Sequence, residues 1–343
     1  MAFLKNNRIS YIDNLRLIAC FLVILTHSAM PSENAGHDGF WMYLISFVGS
    51  PSSELFLAIS GTVLLPIRKD VRTFYKNRFL KLIPPVVFWS VSGTILFLLQ
   101  DKIDVTQALG KIICIPFKPT IGVYWFIYVM MGLYLFAPVV SAFLSSAGKK
   151  LIGWYLFLWM MTLSAPWICG LTGSSFDQNG SHYWMLNYFG GFLGYWVLGY
   201  YLHHHPIKIG MNGSWITLCV LFVLYPVAIA IMRINDIPAD AYMDNLQLGS
   251  AVFVAMLYTI AQNVKLPETV QSTVSEIARY SFGIYLVHYY LRDYVWKLFS
   301  RSTMPVLFKT ISIAIIIMTL SLLIIRLLSK LPHGEYITGY KRR

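Results

Sequence analysis

The sequence predicts an all-α fold: a polytopic transmembrane helix bundle of about ten spans, with both chain ends on the cytoplasmic side. Three observations predict it. Of 343 residues, 57% are hydrophobic and only 12% charged, with a mean hydropathy of +0.61. A soluble domain carries roughly 25% charged residues, and half that density does not clothe a globule of this size in water. The apolar residues fall in runs near 20 long, the length a helix needs to cross a hydrocarbon core of about 30 Å. The basic residues, finally, alternate between connections in the manner of the positive-inside rule.

Helices are the expected form because backbone groups in lipid must bond within their own segment. The candidate spans are 9–30, 41–65, 79–99, 121–144, 151–170, 184–203, 214–232, 246–263, 280–299 and 304–328. An even number puts both ends on one side. With the N-terminus inside, 18 of the 27 basic residues fall on cytoplasmic segments and eight on the other side. Arg16 sits within the first span and completes the set. The outer loops around Glu33 and Asp38, and around Asp236, Asp240 and Asp244, are acidic. The formal net charge of +12 is explained by this topology, so no nucleic-acid partner is implied.

No polar block is long enough for a second domain, so residues 1–343 read as one membrane domain without an appended soluble one. The first apolar run carries Asp13 and Arg16 and lacks a small-residue cleavage site, which makes it a retained helix rather than a signal peptide. Cys20, Cys114, Cys169 and Cys219 lie in or beside apolar stretches without ligand spacing. They read as small apolar residues, with no metal site expected.

Charges inside spans are costly, roughly 2.5–3.5 kcal/mol at mid-membrane. The first span holds Asp13, Arg16 and His27. Eleven steps of about 100° bring Arg16 and His27 within roughly 20° of one direction, about 16 Å apart along the axis. Cys20 shares that stripe, which must face the bundle interior. An interfacial i,i+3 ion pair accounts for Asp13 and Arg16 as readily as a functional role does. For His27 alone, a satisfied polar residue near the outer interface is the favoured account.

The second span places Glu54 in its middle, where a carboxylate needs a partner, and Ser60-Gly61 toward the cytoplasm, where small residues permit close helix approach. The connection that follows is densely basic, with Arg68, Lys69, Arg72, Lys76, Arg78 and Lys81 before Pro84-Pro85. It suits the phosphates of a nucleotide-containing donor or the anchoring of topology against anionic lipid. Trp125 opens the fourth span in an aromatic belt, and His288 falls midway through the ninth. His203, His204 and His205 precede Pro206 and read as solvated loop residues.

Taken in order, these residues resemble the acyltransferase 3 family of membrane acyltransferases. The resemblance rests on Ile12-Asp-Asn-Leu-Arg16 followed by His27, on Glu54-Leu-Phe-Leu-Ala-Ile-Ser60-Gly61, and on Tyr75-Lys-Asn-Arg78-Phe-Leu-Lys81-Leu-Ile-Pro84-Pro85. Weaker matches are Trp125-Phe126 and Ser281-Phe-Gly-Ile-Tyr285-Leu-Val-His288. Lys81 stands where the family usually has a second arginine, and Leu57 where it has a second phenylalanine.

The resemblance spans nearly the whole chain and implies an O-acetyltransferase in a bacterial inner membrane. The acyl donor would be cytoplasmic acetyl-CoA and the acceptor a hydroxyl of a cell-surface or lipid-linked glycan. In that frame His27 is the general base, with Asp13 or Glu54 orienting it or Arg16. Arg16, Arg78 and Lys81 hold donor phosphates or polarise the thioester, and Arg72, Ser60 and Gly61 join the donor site. His288, Trp125 and Tyr285 line the substrate path. The rival reading is a glycan or lipid transporter, which would also carry interior charges; such proteins often show repeated halves, and none is visible here.

Overall fold

The computed structural model describes residues 9–29, 41, 44–171, 184–234 and 245–340. The acidic loops read from Glu33, Asp38, Asp236, Asp240 and Asp244 lie outside the described residues. Among those described, the chain is helical with no strand. In order, the helices are α1 (Ser10–Ser28), α2 (Ser52–Leu64), α3 (Val71–Leu99), α4 (Val105–Ile113), α5 (Trp125–Ser146), α6 (Lys149–Leu171) and α7 (Leu193–His204). Then come α8 (Gly210–Ile234), α9 (Leu248–Asn263), α10 (Glu268–Arg279), α11 (Ser281–Phe299), α12 (Val306–Leu328) and the short α13 (Glu335–Thr338).

Five described stretches are long and apolar enough to cross a membrane: Ser10–Ser28, Leu44–Leu64, Val71–Leu99, Gly122–Ser146 and Val306–Leu328. They match the first four expected spans and the last. The expected segment 214–232 lies within the 25-residue α8, 246–263 is the shorter apolar α9, and 280–299 is α11, whose Arg292, Asp293 and Lys297 lower its hydropathy. The segment 184–203 holds a helix of only 12 residues. A 3-10 turn at Asn187–Phe189 and Gly191, at φ +83°, precede it and delay the helix to Leu193.

Two further differences bear on the site. A turn at Ser50–Pro51 interrupts the second span, so Glu54 stands in the first turn of α2 rather than in mid-helix. The positive end of that helix favours a carboxylate there. The basic connection is also helical: α3 starts at Val71, with Asp70 as its N-cap accepting from the Thr73 N–H at 2.8 Å. That hydrogen bond holds the exposed Asp70 carboxyl below the ordinary carboxylate range. With 29 residues α3 runs about 43 Å, longer than a hydrocarbon core, so its basic first turns project beyond one.

The chain divides into two compact units whose segments interleave in sequence. The first comprises Met1–Leu22, Ser46–Val63 and Gly153–Arg279. Its core is the crossing of α2 and α7. A Cβ on Gly61 would stand 1.8 Å from the Trp196 carbonyl oxygen, and one on Gly199 1.8 Å from that of Ala58. Only glycine allows backbones this close. Thr62 Oγ1 donates to the Gly199 carbonyl at 2.8 Å, and Trp196 Nε1 donates to Ser60 Oγ at 3.1 Å. His203 is a half-buried residue in the last turn of α7, its Nδ1 2.6 Å from the Tyr11 hydroxyl, and not a solvated loop residue.

The second unit comprises Val23–Ile45, Leu64–Ile152 and Tyr280–Arg343. Here α11 packs on α12 and on α3. Gly283 admits Ile325, and Gly93 admits the Tyr290 ring and Ile121. The Tyr124 hydroxyl donates to the Leu286 carbonyl at 2.7 Å, the Tyr285 hydroxyl donates to that of Val123, and the Tyr290 hydroxyl to that of Trp89. Pro84 and Pro85 sit inside α3, and α13 packs against this helix: Trp89 Nε1 donates to the Ile337 carbonyl at 2.9 Å. Phe308, Ile315, Leu323 and Leu327 of α12 are exposed, as are Ile216, Val220 and Val223 of α8 in the first unit. Hydrocarbon is the medium that can cover so much apolar surface.

Candidate active site

Each unit gathers part of the predicted site. In the first, Arg16 NH1 bonds Asp13 Oδ1 at 3.0 Å along one face of α1. Asp13 is 1% exposed, so the guanidinium offsets a carboxylate that water does not reach. Glu54 is fully buried and accepts from Ser53 Oγ at 3.1 Å. The i,i+3 ion pair read from the spacing is present, with Asp13 buried and Arg16 partly exposed. Removing one partner of a buried pair costs about 3–5 kcal/mol, so Arg16→Ala is expected to lower the midpoint of thermal unfolding together with any activity. An unchanged midpoint would show that Asp13 is compensated elsewhere.

Ser60 and Gly61 stand in the α2–α7 contact. Gly61 has backbone against it where a ligand would need space, so packing accounts for the small residues of that motif.

In the second unit the end of α1 meets α11. The His27 and His288 rings are 5.3 Å apart, with Tyr289 edge-on to His27 at 6.1 Å. Trp296 Nε1 donates to the Ser28 carbonyl at 3.1 Å and ties the two helices. Both imidazoles have a fixed tautomer. His27 Nδ1 lies 2.8 Å from the Val23 carbonyl oxygen, and His288 Nδ1 lies 2.6 Å from that of Tyr285. A carbonyl only accepts, so each Nδ1 carries the hydrogen and each neutral ring keeps a lone pair on Nε2. His27 is half-buried, whereas His288 is 1% exposed and its Nε2 has no hydrogen-bond partner. Orphaned buried nitrogens are rare and call for an explanation.

One turn along α11, the Arg292 guanidinium stacks 4.1 Å from the Tyr289 ring and 4.6 Å from the Trp296 ring, and Nε donates to Asp293 at 3.0 Å. Sequence reading counted Arg292 only as a topological charge. The signal was the spacing His288, Tyr289, Arg292, Asp293, Trp296, which repeats every four residues and puts one polar stripe on α11. Tyr285, buried, packs at 5.6 Å from His288 and 5.8 Å from Phe126, and Trp125 begins α5 beside Phe126.

Arg78 and Lys81 lie three residues apart on α3 and so share a face, while Arg72 falls about 120° around the helix from Arg78. Arg72 and Lys81 are exposed. The Arg78 guanidinium rests 5.9 Å from the Phe74 ring, and its buried Nε has no partner. Among the described residues, neither Arg72 nor Arg78 forms an ion pair, which leaves both charges open to an anion.

Comparison with curated proteins and with solved structures returns no match. The model of the acyltransferase 3 family, described as an acyltransferase domain, matches residues 9–330, nearly the whole chain, and this membrane protein therefore belongs to that family of acyltransferases.

Proposed function

We propose that the protein is an O-acetyltransferase that moves an acetyl group from cytoplasmic acetyl-CoA to a hydroxyl of a cell-surface or lipid-linked glycan. The whole chain, 1–343, acts as one domain with ten spans and both ends in the cytoplasm of a bacterial cell. The observation that supports this reading best is the His27 imidazole, half-open, with its proton committed to the Val23 carbonyl and its Nε2 lone pair left for a substrate.

A sugar hydroxyl is a weak nucleophile at neutral pH. His27 Nε2 takes its proton as the oxygen attacks the thioester carbonyl carbon. The carbon–sulfur bond then breaks, and the imidazolium returns the proton to the leaving thiolate. Atoms balance: acetyl ester and free coenzyme A thiol. Arg292 supplies positive charge beside the imidazoles where the carbonyl oxygen becomes negative. His288, with Tyr285, lines the way to His27. Asp13, paired with Arg16, and Glu54 are buried in the first unit and keep the orienting role that the resemblance gives them.

Arg78 and Lys81 hold the donor phosphates, with Arg72 adding long-range charge. From Arg78 to Leu96 α3 rises about 27 Å, so the donor's pantetheine arm threads along the helix rather than across solvent. Charge-assisted hydrogen bonds contribute about 1.5–3 kcal/mol each. Arg78→Gln with Lys81→Gln is therefore expected to raise the KM for acetyl-CoA at least tenfold with little change in kcat. Unchanged donor kinetics would remove both residues from the donor site.

The reading as a whole is tested by reconstituting the protein in vesicles with labelled acetyl-CoA outside and candidate glycans present. Label in the glycan, released by mild alkali as an ester would be, is the expected result. Movement of glycan across the membrane without label would overturn it in favour of transport.

A further inference from the structure

Beside the imidazole pair the second unit holds a half-open cavity of about 290 Å³ between the end of α3, α4 and the second half of α11. Its wall carries three cations, Lys102, Lys111 and Arg292, against one carboxylate, Asp293. Asp293 is shared: Lys102 Nζ reaches it at 3.2 Å and Arg292 Nε at 3.0 Å. Lys111 Nζ touches only the Thr120 carbonyl, at 3.4 Å, which does not neutralise it. The cavity therefore holds two positive charges in excess.

The rest of the wall is Gln100 with aliphatic and aromatic side chains, Leu96 and Ile103 beside Phe97 and three tyrosines. Tyr289 and Tyr294 line it, and the Tyr294 hydroxyl is held by Gln100 at 3.0 Å. Tyr289 is the same ring that stands edge-on to His27 and carries Arg292 on its face. The cavity is thus one side chain from the proposed base. Its volume is at the small end for a ligand site, roughly 300–1,000 Å³, which suits one sugar unit and not a coenzyme. Apolar ring faces stack on the C–H face of a sugar, and surplus cations select an anion.

We propose that this cavity binds an anionic sugar unit of the acceptor, one bearing a carboxylate or a phosphate ester. Lys102 and Lys111 take the anion, and the tyrosines take the ring. The term acceptor rests on the proposed acyl transfer; the binding itself does not. The class of acceptor is then an acidic glycan, and the hydroxyl that reacts belongs to the anionic sugar or its neighbour.

The test uses the full chain in neutral-lipid nanodiscs without acyl donor, and thermophoresis to measure the affinity of three probes: cellobiose, cellobiouronic acid and glucose 6-phosphate. At least one anionic probe is expected to bind about tenfold tighter than cellobiose, and the better of the two identifies carboxylate or phosphate. The pair Lys102→Gln and Lys111→Gln is expected to weaken that probe about tenfold and leave cellobiose unchanged. Equal affinity for neutral and anionic probes overturns the proposal, as does an unaltered preference in the double variant. A preference erased by phosphatidylglycerol in the disc assigns the cations to lipid headgroups and overturns it as well. Anion-selective binding without label transfer in the vesicle assay refutes the acetyltransferase reading alone, whereas label transfer without anion preference refutes this cavity alone.

Discussion

His27→Ala is expected to lower acetyl transfer by about 10²–10⁴-fold, the range a positioned base contributes. Fold should survive the change. The His27 side chain is half-buried, its main hydrogen bond is to its own helix, and the Trp296–Ser28 bond that docks α1 uses a backbone carbonyl. Unfolding midpoint and detergent-extracted yield should stay near wild type while labelled product disappears. His288 gives a contrasting result. It is fully packed against Tyr285, so His288→Ala should lower stability as well as rate. A His27→Ala protein that acetylates at wild-type rate would end the base assignment.

Gly61→Ala is expected to cost heavily in folding, as is Gly199→Ala on the facing helix. The new Cβ would sit 1.8 Å from the Trp196 carbonyl oxygen, and a backbone atom cannot swing aside as a side chain can. Overpacking costs about 1–3 kcal/mol where neighbours adjust; here a whole helix must move. The Thr62–Gly199 bond would stretch with it, and so would the contact of the Tyr258 hydroxyl with Thr62, 2.5 Å in the native packing. We expect a markedly lower unfolding midpoint and poor recovery from the membrane. Gly132→Ala, where nothing lies within 4 Å of the added carbon, is the matched control and should be neutral. A Gly61→Ala protein as stable as that control would contradict the close α2–α7 crossing.

What the sequence disclosed, and what it hid, follows from the range of the physics involved. Hydropathy is a local sum, so the runs at 9–30, 79–99, 121–144 and 304–328 were legible as spans. Periodicity within one helix is local too, and it placed Arg16, Cys20 and His27 on one stripe. Breaks are subtler: Ser50–Pro51 interrupts the second span at a place where average hydropathy barely changes, and the move of Glu54 to a helix start went unread. Pairings distant in sequence leave no mark on either partner. His27 and His288 are each plausible alone, and only folding reveals them as neighbours. Gly199 carries no mark of its own in the sequence, although it is the residue that lets α7 touch Ala58. Arg292 was hidden by its own charge, which topology had already explained.

The end of the chain carries a practical lesson. Gly339, at φ +66°, turns the backbone so that its α-carbon faces the Phe282 ring and the Lys81 carbonyl, and Ile337 holds the Trp89 indole. Residues Glu335–Tyr340 are thus a clasp on the same helix that carries Arg78. A reporter or affinity handle spliced in at Leu331 would pry that clasp loose and register as weakened use of the proposed acyl donor, far from the chemistry it disturbed.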